Sequence, residues 1–246
     1  MTVSLTIQFI LLLVLPIALG FWFKRWWGLS WNLFFGGALA FMLSLVVTSL
    51  ISVPLEVGLL VSSIAQMGAL YLIYRFQMGA DTERHAFMAG VGQGGAELIL
   101  VGLFAVLSFT QMLPLRNATE EKLIELAART DNVAEEEVEA ATVDDLREII
   151  DDYWDTPWYE PLLQSMQLVA LLPVQVALAV IVLGALINNN LRALISAIVL
   201  HFLSRIVPIY GGALAGIIVW LGLSLIFGAV AVWYLKRLWP TVREQT

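Results

Sequence analysis

The chain has 246 residues, 60% hydrophobic and 13% charged, with a formal net charge of −7, no cysteine, and two histidines, His85 and His201. A mean hydropathy of +0.85 is too high for one soluble core and places the chain among helical membrane proteins. Without cysteine there are no disulfide frameworks, thiolate metal sites or cysteine nucleophiles, and no basic stretch suggests a nucleic-acid partner.

A helix needs about 20 apolar residues to cross the hydrocarbon layer. The first such stretch, Val3–Phe23, has no Lys or Arg before it and is followed by Lys24, Arg25 and two tryptophans, so it reads as a retained helix rather than a signal peptide. Spans two and three follow at Trp31–Val53 and Glu56–Tyr74, the latter carrying Gln66. Span four, Ala86–Met112, holds Gly90, Gly92, Gly94 and Gly95 directly ahead of Glu97. This run partly imitates a nucleotide loop, but no strand precedes it, and the GxxxG spacing fits helix packing better. His85, beside Glu83 and Arg84, reads as an interfacial histidine.

The segment Leu113–Pro161 is the one compositional break. It holds 15 of the 20 acidic and four of the 13 basic residues, a net −11 against +4 for the remainder. Asn117-Ala118-Thr119-Glu120 has capping-box spacing, and Thr142-Val143-Asp144-Asp145 suggests a second helix start, giving two or three short amphipathic helices. Two roles are open to this insert, a solvated helical cap or a lid that attracts a substrate or cation. Asn117-Ala118-Thr119 also matches a glycosylation sequon, meaningful only in a secretory-pathway host. Trp154, Trp158 and Tyr159 mark re-entry at the interface. Spans five, six and seven follow at Leu162–Ile187, Leu191–Pro208 and Gly211–Leu235. The expected fold is therefore an all-α polytopic transmembrane bundle, with spans one to four in residues 1–112, a helical extracytoplasmic insert in 113–161, and spans five to seven with a short tail in 162–246.

Charge placement orients the bundle. With the N-terminus outside, the inner loops and tail carry Lys24, Arg25, Arg75, Arg84, Arg192, Lys236, Arg237 and Arg243. The positive-inside rule then predicts an integral protein of the cell membrane with a cytoplasmic C-terminus and the lipid bilayer as its solvent.

Polar residues in the hydrocarbon layer are expensive and read as functional candidates. At 1.5 Å per residue from the inner end of each span, Gln93 lies about 11 Å deep, Gln66 and His201 about 13 Å, Glu97 about 17 Å and Arg205 about 19 Å. Gln175 on span five falls close to the same layer. Ala86, Gly90, Gln93 and Glu97 share one stripe of span four, and His201 and Arg205 lie one turn apart on span six. Two readings are open. Glu97 and Arg205 form a buried ion pair, with His201 and the glutamines as hydrogen-bonding partners; or the layer lines a cavity where Glu97 is a general base and His201 its partner or a metal ligand.

Gly92-Gln93-Gly94-Gly95-Ala96-Glu97 on span four, with His201 on the next-to-last span, resembles the YhfC-like intramembrane metalloprotease family, related in concept to CAAX-protease and glutamic-type membrane peptidases. The likeness covers most of the chain. The resemblance implies a Glu-Glu-x-x-Arg motif on span three, His-Gly-Gly-x-Glu on span four, and a late His followed four residues on by Asp. In this chain the first motif falls on Ala65-Gln66-Met67-Gly68-Ala69, with both acids and the arginine gone. The second begins with Gln93 in place of His and keeps Gly94, Gly95 and Glu97; the third keeps His201 but has Arg205 where Asp belongs. Zinc is the cofactor the resemblance implies, yet a catalytic zinc takes about three protein ligands, and only Glu97 and His201 remain to supply them.

Three functions from different classes follow: a degenerate relative with weak or no peptidase activity that binds membrane-embedded or lipid-linked peptides; an active intramembrane peptidase using Glu97 and His201; and a small-solute or proton-coupled transporter, which no internal repeat supports. In each, Gln66, Gln93, Gly94, Gly95, Gln175 and Arg205 line the cavity.

Overall fold

The computed structural model describes residues 2–76, 82–131 and 140–210, with the single positions 222 and 226, and every regular element among them is helical. The first span is a continuous rod of α1 (Thr2–Phe9), a π-helical turn (Ile10–Val14) and α2 (Leu15–Trp27). Pro16 explains the turn: it has no N–H for the Leu12 carbonyl, and its ring would crowd that oxygen. The backbone widens just before it, and the Leu15 N–H reaches back to the Ile10 carbonyl. Gly28, at φ 67°, closes α2 in the left-handed region, its N–H bonded to the Lys24 carbonyl. Ser30 then caps α3 (Trp31–Ser49) by accepting from the Asn32 N–H at 3.2 Å.

The remaining helices are α4 (Leu55–Phe76), α5 (Glu83–Met112), α6 (Glu120–Asp131), α7 (Ala140–Asp155), α8 (Glu160–Ile187) and α9 (Leu191–Tyr210). Five segments are long and apolar enough to cross a membrane, namely Val3–Trp27, Trp31–Ser49, Leu55–Phe76, Arg84–Met112 and Glu160–Ile187. They match the first five expected spans, and α9 stands where the sixth was expected. The seventh, Gly211–Leu235, lies outside the described residues. Span two ends at Ser49 rather than Val53, and Pro54 biases Val53 towards extended backbone, so the helix does not run up to it. In the insert, α6 begins at Glu120, three residues after Asn117, and α7, described from Ala140, includes Thr142.

Exposed Phe35, Leu39, Leu43 and Val46 recur at helical spacing along α3, an apolar stripe suited to lipid rather than water. Burial separates the central helix from the peripheral ones: 78% of the most apolar window of α8 is buried, against 33% for the first rod. α5 packs on α3, α8 and α2, and its glycines make those approaches possible. A Cβ on Gly92 would lie 1.9 Å from the Phe34 carbonyl oxygen of α3, and one on Gly90 2.5 Å from the Val176 Cα of α8. From the other side, a Cβ on Gly37 of α3 would sit 1.8 Å from the Ala89 oxygen. The helices meet backbone to backbone, the usual role of small residues where lipid removes the hydrophobic drive for association. At the insert end, Leu123 of α6 and Val143 and Ile150 of α7 form a small separate core with Met112, Leu115 and Trp154. Arg116 stacks over Trp154 at 4.9 Å, tying α7 to the segment that leaves α5.

Candidate functional site

Four helices supply the polar layer. Gln93 and Glu97 are one turn apart on α5, His201 and Arg205 one turn apart on α9, Ser63 and Gln66 three residues apart on α4, and Gln175 projects from α8. α9 packs on α4 and α8, while α8 packs on α5, so Gln175 stands between Gln93 and His201. Gly94 makes room for it, since a Cβ there would fall 3.1 Å from the Gln175 Cγ.

The polar groups sort into two networks. In the first, the Arg205 guanidinium donates through Nη1 to Glu97 Oε1 and through Nη2 to Glu97 Oε2. This two-pronged fork is the strongest form of a carboxylate pair. Glu97 is buried, and the side chain of Arg205 is 21% exposed. Glu97 is only 7% exposed, a burial at which an unpaired carboxylate would be costly.

The second network is a directed chain. Gln93 Nε2 donates to Gln175 Oε1 at 2.9 Å, and Gln175 Nε2 lies 3.4 Å from His201 Nε2. An amide nitrogen can only donate, so His201 Nε2 accepts and the ring proton sits on Nδ1. That nitrogen lies 2.8 Å from Ser63 Oγ, and the Ser63 hydroxyl donates its own hydrogen bond to the Leu59 carbonyl. Both imidazole nitrogens are thereby engaged. Gln66, Gln93, Gln175 and His201 are all at most 1% exposed. Two ends of the layer are left over: Gln93 Oε1 and Gln66 Nε2 are buried without a partner among the described residues.

The structure thus places the anticipated residues together as a layer but does not pair Glu97 with His201: the carboxylate goes to Arg205, the imidazole to Gln175 and Ser63. Gly94 and Gly95 act through helix approach, a Cβ on Gly95 falling 2.8 Å from the Pro16 ring of α2. Ser63 was not anticipated. The available signal was its position three residues before Gln66, which puts both on one face of α4. Among the described residues, no three of His, Asp or Glu gather in a metal-holding group. His85 lies at the start of α5, its N–H bonded to the Thr82 carbonyl.

Residues 57–220 match the family model described as YhfC intramembrane metalloprotease. The chain is 28% identical over 218 residues to the Bacillus subtilis (strain 168) protein named Uncharacterized membrane protein YhfC, an alignment that covers 78% of each chain. No solved structure matches.

Proposed function

The chain belongs to the YhfC intramembrane metalloprotease family, and from that premise we propose that it is a non-hydrolysing member that holds membrane-embedded peptides without cutting them. One observation carries this reading: the groups that would activate water or bind metal are already committed to other side chains. Both Glu97 oxygens accept from Arg205, and both His201 nitrogens are used by Gln175 and Ser63.

A catalytic zinc of the kind the family's name implies does not fit these side chains. Such a site uses about three nitrogen, sulfur or carboxylate ligands and an open position, whereas this layer offers carboxamides at Gln66, Gln93 and Gln175. Arg205 would also bring a fixed positive charge to a metal's ligand. The retained Glu97 is better explained as one half of an ion pair than as a base.

Peptide binding is supported by the family and by the two buried amide groups left over, Gln66 Nε2 and Gln93 Oε1, a donor and an acceptor at one membrane depth. On the same reading the acidic insert lies outside the cell, because the short-loop bases fall on the opposite face. The test is to embed the protein in nanodiscs with a photo-crosslinkable transmembrane peptide labelled at both ends. Capture near one intact peptide per chain, constant over hours, is expected. Accumulation of separated end fragments would overturn the proposal.

A further inference from the structure

A second cavity, away from the Glu97 layer, opens at the insert end of the bundle. It has a volume of about 260 Å³ and is walled by Leu5 and Gln8 of α1, Ala105 and Ser108 of α5, Tyr153 and Thr156 at the end of α7, and Pro161 and Gln164 of α8. Four separated stretches of chain converge on it, and none of the lining side chains is charged. Gln8 marks it as more than a packing gap. This carboxamide is 6% exposed within an apolar rod, lines the cavity, and has no side-chain hydrogen bond among the described residues. Because Gln8 lines the cavity, whatever fills the cavity, water or a guest, supplies its hydrogen bonds.

We propose that this cavity binds an uncharged, hydroxyl-bearing ring of the size of one sugar. Volume limits the occupant, because about 260 Å³ is just below the roughly 300 Å³ at which small-molecule pockets usually begin, which suits one ring and not several peptide residues. Chemistry limits it further. The carboxamides of Gln8 and Gln164 each offer donors and an acceptor, and the hydroxyls of Ser108 and Tyr153 offer both. Loss of hydration pushes the Tyr153 phenol up, which keeps it a donor. A wholly apolar guest would leave Gln8 unsatisfied. Anions are disfavoured by exposed Asp151, Asp152, Asp155 and Glu160 on the flanking turns, and a cation finds no carboxylate among the lining residues. Leu5, Ala105 and Pro161 provide the apolar surface on which a sugar ring face rests. The ring could arrive free or as the head of a glycolipid, since the cavity lies where the apolar rods meet the polar insert.

The experiment uses the full chain in phosphatidylcholine nanodiscs and saturation-transfer NMR with methyl β-glucoside, methyl phosphate and ethanolamine as probes. Binding of the glucoside alone is expected. Gln8→Leu should weaken it about tenfold, the effect of one lost hydrogen bond, and Ala105→Phe should abolish it by filling the space without touching a polar group. Adding monoglucosyl diacylglycerol to the nanodisc identifies the source: displacement of the glucoside supports a lipid head, and no displacement supports a free sugar. Absence of glucoside binding, a stronger response to methyl phosphate or ethanolamine, or binding unchanged in both variants would overturn the proposal.

Discussion

Replacing Glu97 by glutamine leaves Arg205 with no counter-charge in a site where the carboxylate is buried and the guanidinium side chain only 21% exposed. Breaking a buried ion pair from one side typically costs 3–5 kcal/mol. The partial exposure of Arg205 puts this variant near the lower end, at about 3 kcal/mol, because a long side chain can move its head towards a polar boundary. Arg205→Gln should cost about the same by stranding the buried Glu97 carboxylate. The double variant removes both charges and leaves two carboxamides able to bond each other, so about 3 kcal/mol in total is expected rather than the additive 6, a coupling of about 3 kcal/mol. Unfolding free energies of the four proteins in bicelles, measured by steric trapping, give the cycle. Additivity within about 0.5 kcal/mol would refute the paired geometry.

Gln175→Leu should destabilise by about 2–4 kcal/mol in the same assay, because it strips a partner from both Gln93 and His201 inside the bundle. Gly37→Ala should abolish recovery of folded protein, its Cβ falling on the Ala89 carbonyl, while Gly68→Ala, with nothing within 4 Å, should change stability by less than about 1 kcal/mol; the comparison is made by size-exclusion yield and melting. Protease added to intact cells should cut between Glu120 and Asp155 and spare the loop near Arg192; the reverse pattern would invert the proposed orientation.

The Glu97–Arg205 pair was one of the two readings the sequence left open, because depth along a helix follows from counting residues and two opposite charges at one depth can satisfy each other. Which partner His201 takes was not legible. It depends on α8 standing between α5 and α9, and on Gly94 clearing space for Gln175, both of which are tertiary. Ser63 carried only a weak signal, its place one turn before Gln66: a serine in an apolar helix usually bonds its own preceding turn, as Ser63 does with the Leu59 carbonyl, and nothing local says that it also receives an imidazole. The glycine run on span four correctly announced close packing, whereas Gly37 did not stand out, since only Gly36 accompanies it on α3 and its partner, Ala89, is an unremarkable alanine. Composition marked the insert, while α6 starts at Glu120 rather than directly after Asn117 because Thr119 competes with Asn117 as its cap. Hydropathy overran the end of α3 for want of weight on Pro54.

The central question is whether the polar layer is a hydrogen-bonded and ion-paired support or a metal-dependent hydrolytic centre. Elemental analysis of the purified chain, run beside turnover of a quenched transmembrane peptide and repeated on Glu97→Ala and His201→Ala, decides between them directly. Zinc far below one per chain and no turnover above background in any of the three proteins are expected. Near-stoichiometric zinc that is lost in either variant, together with cleavage that both variants abolish, would contradict the supporting role.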